Sequence, residues 1–177
     1  MFFKRLTLVC AALLLLTGCS AVSDLLPEKK ATGVLSGREG IDGQLLAVKI
    51  DDTNMAHPQI GLEDADVVYI EQVEGGLTRI AAVFSSKIPA VIGPVRSARI
   101  SDIEILEQFG RVAFAYSGAQ KKLLPVIAAA NLENLGAQRQ SREIYSNDPL
   151  RRSPTAMMLQ GVVTTMTTMT TTMTTSM

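Results

Sequence analysis

The chain has 177 residues, and its 17 basic and 17 acidic side chains give a formal net charge of zero. This balance does not favour bulk nucleic-acid binding, and the absence of tryptophan with only 5% aromatic residues disfavours a stacking platform for sugars or bases. With the two unusual ends set aside, residues 44–163 remain, which is enough for one modest domain.

The N-terminus has the features of a bacterial lipoprotein signal. Lys4 and Arg5 precede an apolar run, residues 6–16, that is too short to span a bilayer as a stable helix but has the length of a signal-peptide core. The run ends in LTGC, which resembles the lipobox at which bacterial lipoproteins are cleaved before a lipidated cysteine, here Cys19. A plain signal peptide with a chance cysteine is the alternative.

Cleavage before Cys19 would leave that residue as the single thiol of the mature chain, because Cys10 lies in the removed segment. An intramolecular disulfide and a cysteine metal site would then be excluded. We therefore expect a signal peptide over residues 1–18 and a flexible tether over residues 19–43, which are polar and rich in glycine. The expected location is the extracytoplasmic face of the cell membrane, with the lipid on Cys19 as the anchor. No cofactor and no metal are predicted.

The C-terminal tail, residues 164–177, consists almost entirely of Thr and Met and has no charge and no apolar periodicity. Because such a run implies a short-period DNA repeat, we interpret it as a low-complexity linker or as an out-of-frame reading. An unambiguous in-frame stop codon after Met177 would contradict the second interpretation.

Between these ends, strand and helix patterns alternate and predict a mixed α+β domain, a sheet with helices packed against it. The expected elements, in chain order, are a buried strand at 45–50, a loop at 53–62, a β-hairpin at 66–84, a loop at 85–94, a helix at 100–109 capped by Ser97 or Ser101, a buried strand at 111–116, and a helix at 119–130 that Pro125 kinks or breaks.

The hairpin is the clearest element, because two β-rich runs flank Gly75-Gly76. With these glycines as a two-residue turn, Glu71 would lie opposite Ile80 on an otherwise apolar face. At the open end both faces are apolar, so we expect both to be covered. Near the turn, Arg79 is expected to meet Glu74 or Gln72 across the ladder.

Glu71 is the anomalous residue of this hairpin. A buried carboxylate needs a cation, hydrogen-bond donors or a raised pKa. The alternative is a carboxylate at the rim that turns to solvent or pairs with one arginine.

The stretch GPVRSAR, residues 93–99, places two arginines between a sheet-like run and a helix. Arginine binds phosphate and carboxylate groups bidentately, and the N–H groups that open a helix add to such a site. We therefore predict an anion-binding cluster. Its candidate residues are Glu71, Glu74, Thr78, Arg79, Arg96, Ser97 and Arg99. The alternative is a structural network in which Arg96 and Arg99 pair with Glu71, Glu74 or Asp51.

A cell-wall hydrolase is the alternative function. Asp51, Asp52, Glu71 and Glu74 could supply paired carboxylates as general acid and base. The sequence has no GxSxG, HExxH or P-loop pattern, and its single histidine, His57, precedes a proline in a loop.

Four segments in order resemble the YerB-like bacterial lipoproteins, domain-of-unknown-function family 3048. They are PQIGLEDADVVY at 58–69, VEGGLTR at 73–79, IGPVRSAR at 92–99 and RSPT at 152–155. The resemblance implies an envelope lipoprotein whose first domain is followed by a second, smaller one. In this chain the Thr/Met tail occupies that position, which we interpret as truncation or frameshift. The family carries no established chemistry. We therefore expect a binding or scaffold module that contacts a cell-wall polymer or an envelope protein, and no nucleic acid.

Overall fold

The structure, a computed structural model, describes residues 31–40, 42–140, 144–148 and 157–161. These residues contain eight strands and two α-helices. In chain order they are β1 (Leu46–Asp51), β2 (Val67–Gln72), β3 (Thr78–Phe84), β4 (Val91–Val95), α1 (Ile100–Glu107), β5 (Val112–Ala115), α2 (Leu124–Ala129), β6 (Leu132–Asn134), β7 (Tyr145–Asn147) and β8 (Met157–Gln160). The predicted signal peptide, Cys19, the RSPT segment and the Thr/Met tail lie outside the described residues.

All eight strands belong to one sheet with the order β2-β3-β1-β4-β8-β7, and β5 and β6 branch from β1. Pairing along the main path is antiparallel, whereas β1–β5 and β5–β6 are parallel. One edge of β1 pairs with β3 along its whole length. The other edge pairs with β5 from Leu46 to Val48 and with β4 at Ile50. Lys49 lies where these two neighbours diverge.

The expectation of a mixed α+β domain is confirmed in part, because the described residues form a mostly antiparallel sheet of eight strands with few helices, which are shorter than predicted. Helix α2 begins at Leu124, and Pro125 lies in its first turn. A proline costs a helix no hydrogen bond there, so it marks the start of α2 and not a kink. Within the described residues no helix is both long and apolar enough to cross a membrane.

Two apolar clusters cover the two faces of the central strands. Leu46, Val48 and Ile50 of β1 belong to one of them. Ala47 belongs to the other, together with Leu106 of α1 and Ile127 of α2. Because side chains alternate along a strand, Lys49 shares the face of Ala47 and points toward the helices.

The prediction of a loop at 85–94 is wrong at its C-terminal end, because β4 includes Gly93-Pro94. GPVRSAR therefore begins on a strand. On the side away from β1 this strand pairs with β8, and the register of that pair is irregular between Ile92 and Val95. Proline has no N–H to give to a ladder, so it is tolerated at such an irregularity. Gly93 is also held from outside the ladder, since its N–H and C=O both bond to Ile60, at 3.0 and 2.8 Å.

The predicted hairpin exists, but its register differs by one residue. The N–H of Val73 donates to the carbonyl of Leu77 at 2.8 Å, so the loop has three residues, Glu74-Gly75-Gly76. Glu71 therefore lies opposite Arg79, not Ile80. A one-residue shift moves every side chain of one strand to the other face. Arg79 thus shares a face with Glu71 instead of meeting Gln72.

The outer face of β2 is not covered as predicted. Val68 and Ile70 are 43% and 68% exposed. β2 is an edge strand of the sheet. Its side chains Val68 and Ile70 therefore lie beyond the apolar cluster that contains Ile80 and Ala82.

The sequence places the start of the domain at residue 44, but residues before that position already form hydrogen bonds with the domain. The hydroxyl of Ser36 donates to Asp66, which also accepts the N–H groups of Ser85 and Ser86. Burial raises the pKa of Asp66, but these donors outweigh it and hold that pKa below its ordinary value. The boundary of the tether at residue 43 stays a prediction.

Two glycines with left-handed φ provide a matched test of the fold. Gly61 and Gly75 have φ of +77° and +73°. A Cβ on Gly61 would lie 2.7 Å from the carbonyl oxygen of Val91, whereas a Cβ on Gly75 would meet no atom within 4 Å. We expect Gly75→Ala to cost about 1 kcal/mol of unfolding free energy through φ alone, and Gly61→Ala to cost about 1–3 kcal/mol more through the clash. Urea unfolding of both variants measures the difference, and equal losses would contradict the close packing at Gly61.

Candidate functional site

Three arginines gather around the main chain of residues 96–99. Arg79 comes from β3, Arg96 follows β4, and Arg99 precedes α1. The guanidinium of Arg79 donates to the carbonyl of Ser97 at 3.2 Å, and that of Arg99 donates to the carbonyl of Ala98 at 3.0 Å. We call Arg79, Arg96 and Arg99 the arginine cluster.

The segment that carries the cluster is fixed by main-chain hydrogen bonds on two sides. The N–H of Arg96 donates to the carbonyl of Lys49 at 2.8 Å, and the carbonyl of Arg96 accepts the N–H of Ser117 at 3.0 Å. The N–H of Ala98 donates to the carbonyl of Gly118 at 2.8 Å. The segment is thus held between β1 and the chain that leaves β5.

Arg99 reaches the hairpin loop. Its Nη2 and Nε lie 2.7 and 3.1 Å from one carboxylate oxygen of Glu74. These bonds from Arg99 hold the pKa of Glu74 below its ordinary value. Because the Glu74 carboxylate is exposed, solvent screens the pair and another anion can compete for Arg99.

Arg96 has a weaker contact. Its Nε lies 3.2 Å from Oδ2 of Asp51, within ion-pair distance. Nevertheless this buried Nε has no hydrogen-bond partner of acceptable geometry in the part of the chain that the structure describes. The contact is therefore a Coulomb interaction without a hydrogen bond, and the donor capacity of Nε is unused.

Arg79 has no carboxylate of its own. Among the described residues, no Asp or Glu oxygen lies within 4.0 Å of its guanidinium. Burial lowers the pKa of Arg79, and the positive charges of Arg99 and Arg96 lower it further. The charges of Glu74 and Asp51 oppose these effects without outweighing them, so Arg79 is a partly desolvated cation that two more arginines repel.

The carboxylate opposite Arg79 in the ladder is committed to the interior. Glu71 accepts hydrogen bonds from Nζ of Lys49 and from the hydroxyl of Ser101. The same Nζ lies 2.7 Å from Oδ1 of Asp102. Lys49 and Asp102 are fully buried, and Glu71 is nearly so. We call Lys49, Glu71 and Asp102 the buried triad.

The triad holds two carboxylates on one ammonium, and their pKa values move apart. Burial raises the pKa of Asp102 to about 6, and the charge of Glu71 adds to the rise while Lys49 opposes it. Burial also raises the pKa of Glu71, but the bonds from Lys49 and Ser101 outweigh it and hold that pKa below its ordinary value.

The triad positions the arginine cluster through two links from one residue. The carbonyl of Lys49 accepts the N–H of Arg96, and its ammonium holds Asp102. The other carboxylate oxygen of Asp102 accepts the N–H of Arg99 at 2.6 Å. Arg99 is therefore the N-cap residue of α1, and the predictions of Ser97 and Ser101 for that position are wrong. The cap is supplied by Asp102, whose carboxylate reaches back from the first turn.

Thr78 lies apart from the guanidinium groups. Its hydroxyl donates to Oδ2 of Asp52 at 2.5 Å, and the amide of Gln59 donates to the other oxygen at 3.2 Å. The ring of His57 also lies 3.2 Å from that oxygen. The structure thus brings together Glu74, Arg79, Arg96, Arg99 and the carbonyl of Ser97, places Glu71 beneath them, and places Thr78 beside Asp52.

Neither Lys49 nor Asp102 stands out in the sequence as a site residue. The signal for Lys49 is weak: one lysine inside LLAVKI, a run that otherwise predicts a buried strand. Asp102 lies in the first turn of a helix, where an acidic residue is common for reasons of capping alone.

Comparisons with known proteins concern the whole domain. A family model described as "Protein of unknown function (DUF3048) N-terminal domain" matches residues 31–175. A Bacillus subtilis (strain 168) protein named "Putative lipoprotein YerB" is 33% identical over 123 residues, which are 65% of this chain and 37% of that protein. The crystal structure of YerB protein from Bacillus subtilis matches with a TM-score of 0.71 at 22% identity, over 80% of this chain and 50% of that one. This chain therefore spans half or less of each relative, and the structural match concerns the fold alone.

The buried ammonium can be tested by its removal. Lys49→Met would leave Glu71 and Asp102 in the interior without a cation, so we expect a loss of about 3–5 kcal/mol in the unfolding free energy at pH 7. The matched control is Lys87→Met, because Lys87 is exposed and pairs with Asp64 at the surface; it should change stability by less than about 1 kcal/mol. Denaturant unfolding measures both, and similar losses would contradict a structural role for the triad.

Asp102 also predicts a pH dependence. Its pKa of about 6 in the folded chain lies above its ordinary value of 3.8, so the folded chain keeps a proton that the unfolded chain has released. The stabilisation is full below about pH 4 and is lost as the pH rises to about 6. Glu71 has the opposite sign, because its lowered pKa favours folding above its ordinary value of 4.5.

Asp102→Asn isolates this contribution. The unfolding free energy of the original chain minus that of the variant should fall by up to about 3 kcal/mol between about pH 4 and about pH 6. Glu104→Gln removes an exposed carboxylate from the same helix and should leave the profile unchanged. A flat or rising difference for Asp102→Asn would show that this carboxyl is ionised throughout the range.

Proposed function

We propose that this chain, which belongs to the family of the DUF3048 N-terminal domain, is the anion-binding module of a lipoprotein anchored to the extracytoplasmic face of the cell membrane. The family match confirms the resemblance seen in IGPVRSAR and the neighbouring motifs. Support for the anchor comes from LTGC at residues 16–19 and from the relative named as a lipoprotein. Through the lipid on Cys19, the module would meet wall polymers and other envelope proteins.

The observation that carries the proposal is the cation excess around Arg79. Arg79 has no carboxylate within ion-pair distance among the described residues, and Arg96 has a buried donor without an acceptor there. The third member, Arg99, pairs with an exposed carboxylate that a ligand can displace. A phosphate or carboxylate would supply the bidentate acceptors that guanidinium groups prefer.

The hydrolase alternative has less support. The two carboxylates whose pKa values are driven apart, Glu71 and Asp102, are held by Lys49 in the interior, where a polymer has no access. Asp51 faces Arg96, and Asp52 accepts bonds from Thr78 and Gln59. Each of these carboxylates therefore has a partner within the domain, whereas paired-carboxylate hydrolysis requires two that face a glycosidic bond and a water molecule.

A titration with inorganic phosphate tests the proposal on the full chain in non-ionic detergent, with isothermal calorimetry as the readout. We expect saturable binding that Arg79→Gln weakens at least about tenfold, because a hydrogen bond to a charged group contributes about 1.5–3 kcal/mol. Added NaCl should weaken it as well. The control is Arg111→Gln, since Arg111 is an exposed arginine that pairs with Glu133 elsewhere on the domain.

Each other outcome points to a different function. Absence of saturable phosphate binding, or an equal effect of Arg79→Gln and Arg111→Gln, would overturn the anion site. Capture of a membrane protein without anion binding would favour a scaffold. Cleavage of purified wall polymer that is lost in Glu71→Gln would favour the hydrolase.

A further inference from the structure

A groove between α1 and α2 continues from the arginine cluster. It consists of two adjoining cavities of about 420 and about 490 Å³, and Val126 lines both. Arg99 is part of the wall of the first cavity, so the groove begins at the cluster. Volumes of this size are typical of small-molecule sites.

The two ends of the groove differ in charge. The first cavity has Arg99 and Lys122 in its wall, against one carboxylate, Glu74, the exposed partner of Arg99. In the described part of the chain no carboxylate lies within ion-pair distance of Lys122. The second cavity is formed mainly by apolar side chains, among them Ile103, Pro125 and Leu132, and its polar residues are Glu107 and Asn131. A cationic end therefore leads into an apolar channel.

The boundary between the two ends exposes apolar surface to solvent. Ile100 of α1 is 57% exposed and Val126 of α2 is 41% exposed, and both line the first cavity. Exposed apolar side chains that adjoin a concave surface mark a binding site more often than scattered ones do.

We propose that the groove binds the alkyl chain of an anionic amphiphile whose phosphate or carboxylate is held by Arg99 and Lys122 in the wall of the first cavity and by Arg79 beside them, whose guanidinium donates to the same Ser97 carbonyl as that of Arg99. The inference rests on the anion-binding function proposed above and adds the class of ligand. Charge complementarity selects an anionic head group, and the apolar walls select an alkyl chain. Helix α1, with eight residues, is about 12 Å long, which is enough for a chain of several methylenes.

The walls favour an alkyl chain over an extended peptide. A peptide strand needs partners for its own N–H and C=O groups. The wall of the second cavity is mostly apolar, with Glu107 and Asn131 as its polar residues, so it offers a peptide few side-chain partners. An alkyl chain has no such requirement and gains from the removal of its surface from water.

The test compares inorganic phosphate with butyl phosphate and hexyl phosphate, each titrated into the full chain in non-ionic detergent. A fully buried methylene corresponds to about a fourfold gain in affinity. Since the groove is open on one side, we expect about a twofold gain per methylene. Hexyl phosphate should thus bind at least about tenfold more tightly than inorganic phosphate.

Two valine substitutions distinguish binding of the alkyl chain in the groove from partition of the alkyl phosphate into the detergent. Val126→Gln should remove the gain from the alkyl chain and leave inorganic phosphate binding unchanged. Val68→Gln alters an exposed valine on the outer face of β2 and should leave both affinities unchanged. A gain that persists in Val126→Gln would overturn the proposal.

The remaining outcomes distinguish the two proposals and the source of the ligand. Equal affinity for hexyl and inorganic phosphate would overturn the groove and leave the anion site intact, whereas binding of neither would remove both. Dihexanoyl phosphatidylglycerol, a soluble diacyl lipid, identifies the source. If it binds as tightly as hexyl phosphate, the ligand is a membrane lipid head group with its chains. If it fails while hexyl phosphate binds, the ligand has a single chain.

Discussion

The buried ammonium of Lys49 is the interaction on which the rest of the structure depends. A charge that is left unpaired in the protein interior either costs more than the stability of most domains or is lost through a pKa shift. Lys49 keeps its charge paired with Glu71 from β2 and Asp102 from α1. These two ion pairs connect the register of the hairpin with the position of the helix. Since Lys49 also lies where β4 and β5 diverge from β1, one residue joins the sheet, the helix and the arginine segment.

The hairpin shows what the sequence could and could not provide. Its existence follows from β-rich runs around Gly75-Gly76, and β1 and β5 follow from buried-strand patterns in the same way. Its register does not follow, because a two-residue and a three-residue loop both fit EGG, and the deciding contact is between Glu71 and Lys49, 22 residues apart. Strands β6 to β8 were not predicted for a related reason. Each is three or four residues long, and its pairing with neighbouring strands, not its sequence pattern, defines it as a strand.

The site was predictable in composition but not in organisation. GPVRSAR and VEGGLTR supply the arginine cluster and Glu74, so motif order alone selects those residues. What holds them is remote in the sequence. Asp102 reaches Lys49 across 53 residues, and the carbonyl that fixes Arg96 belongs to a strand that reads as a plain apolar run. Every residue has a main-chain carbonyl, so the type of residue does not indicate which carbonyl accepts a hydrogen bond from a distant segment.

The charges of the triad and of the arginine cluster form one system. With Asp102 ionised, the interior carries one more negative than positive charge, directly beneath Arg79, whose neighbour across the ladder is Glu71. At the surface, three guanidinium groups face the two carboxylates of Asp51 and Glu74. Glu74 and Asp51 favour the charged form of Arg79 and oppose the effects of burial and of the other two arginines on its pKa. The triad carboxylates are bonded to Lys49 and Ser101 and do not pair with an arginine, so the three guanidinium groups exceed their surface partners by one charge, which stays available to an anion from solution.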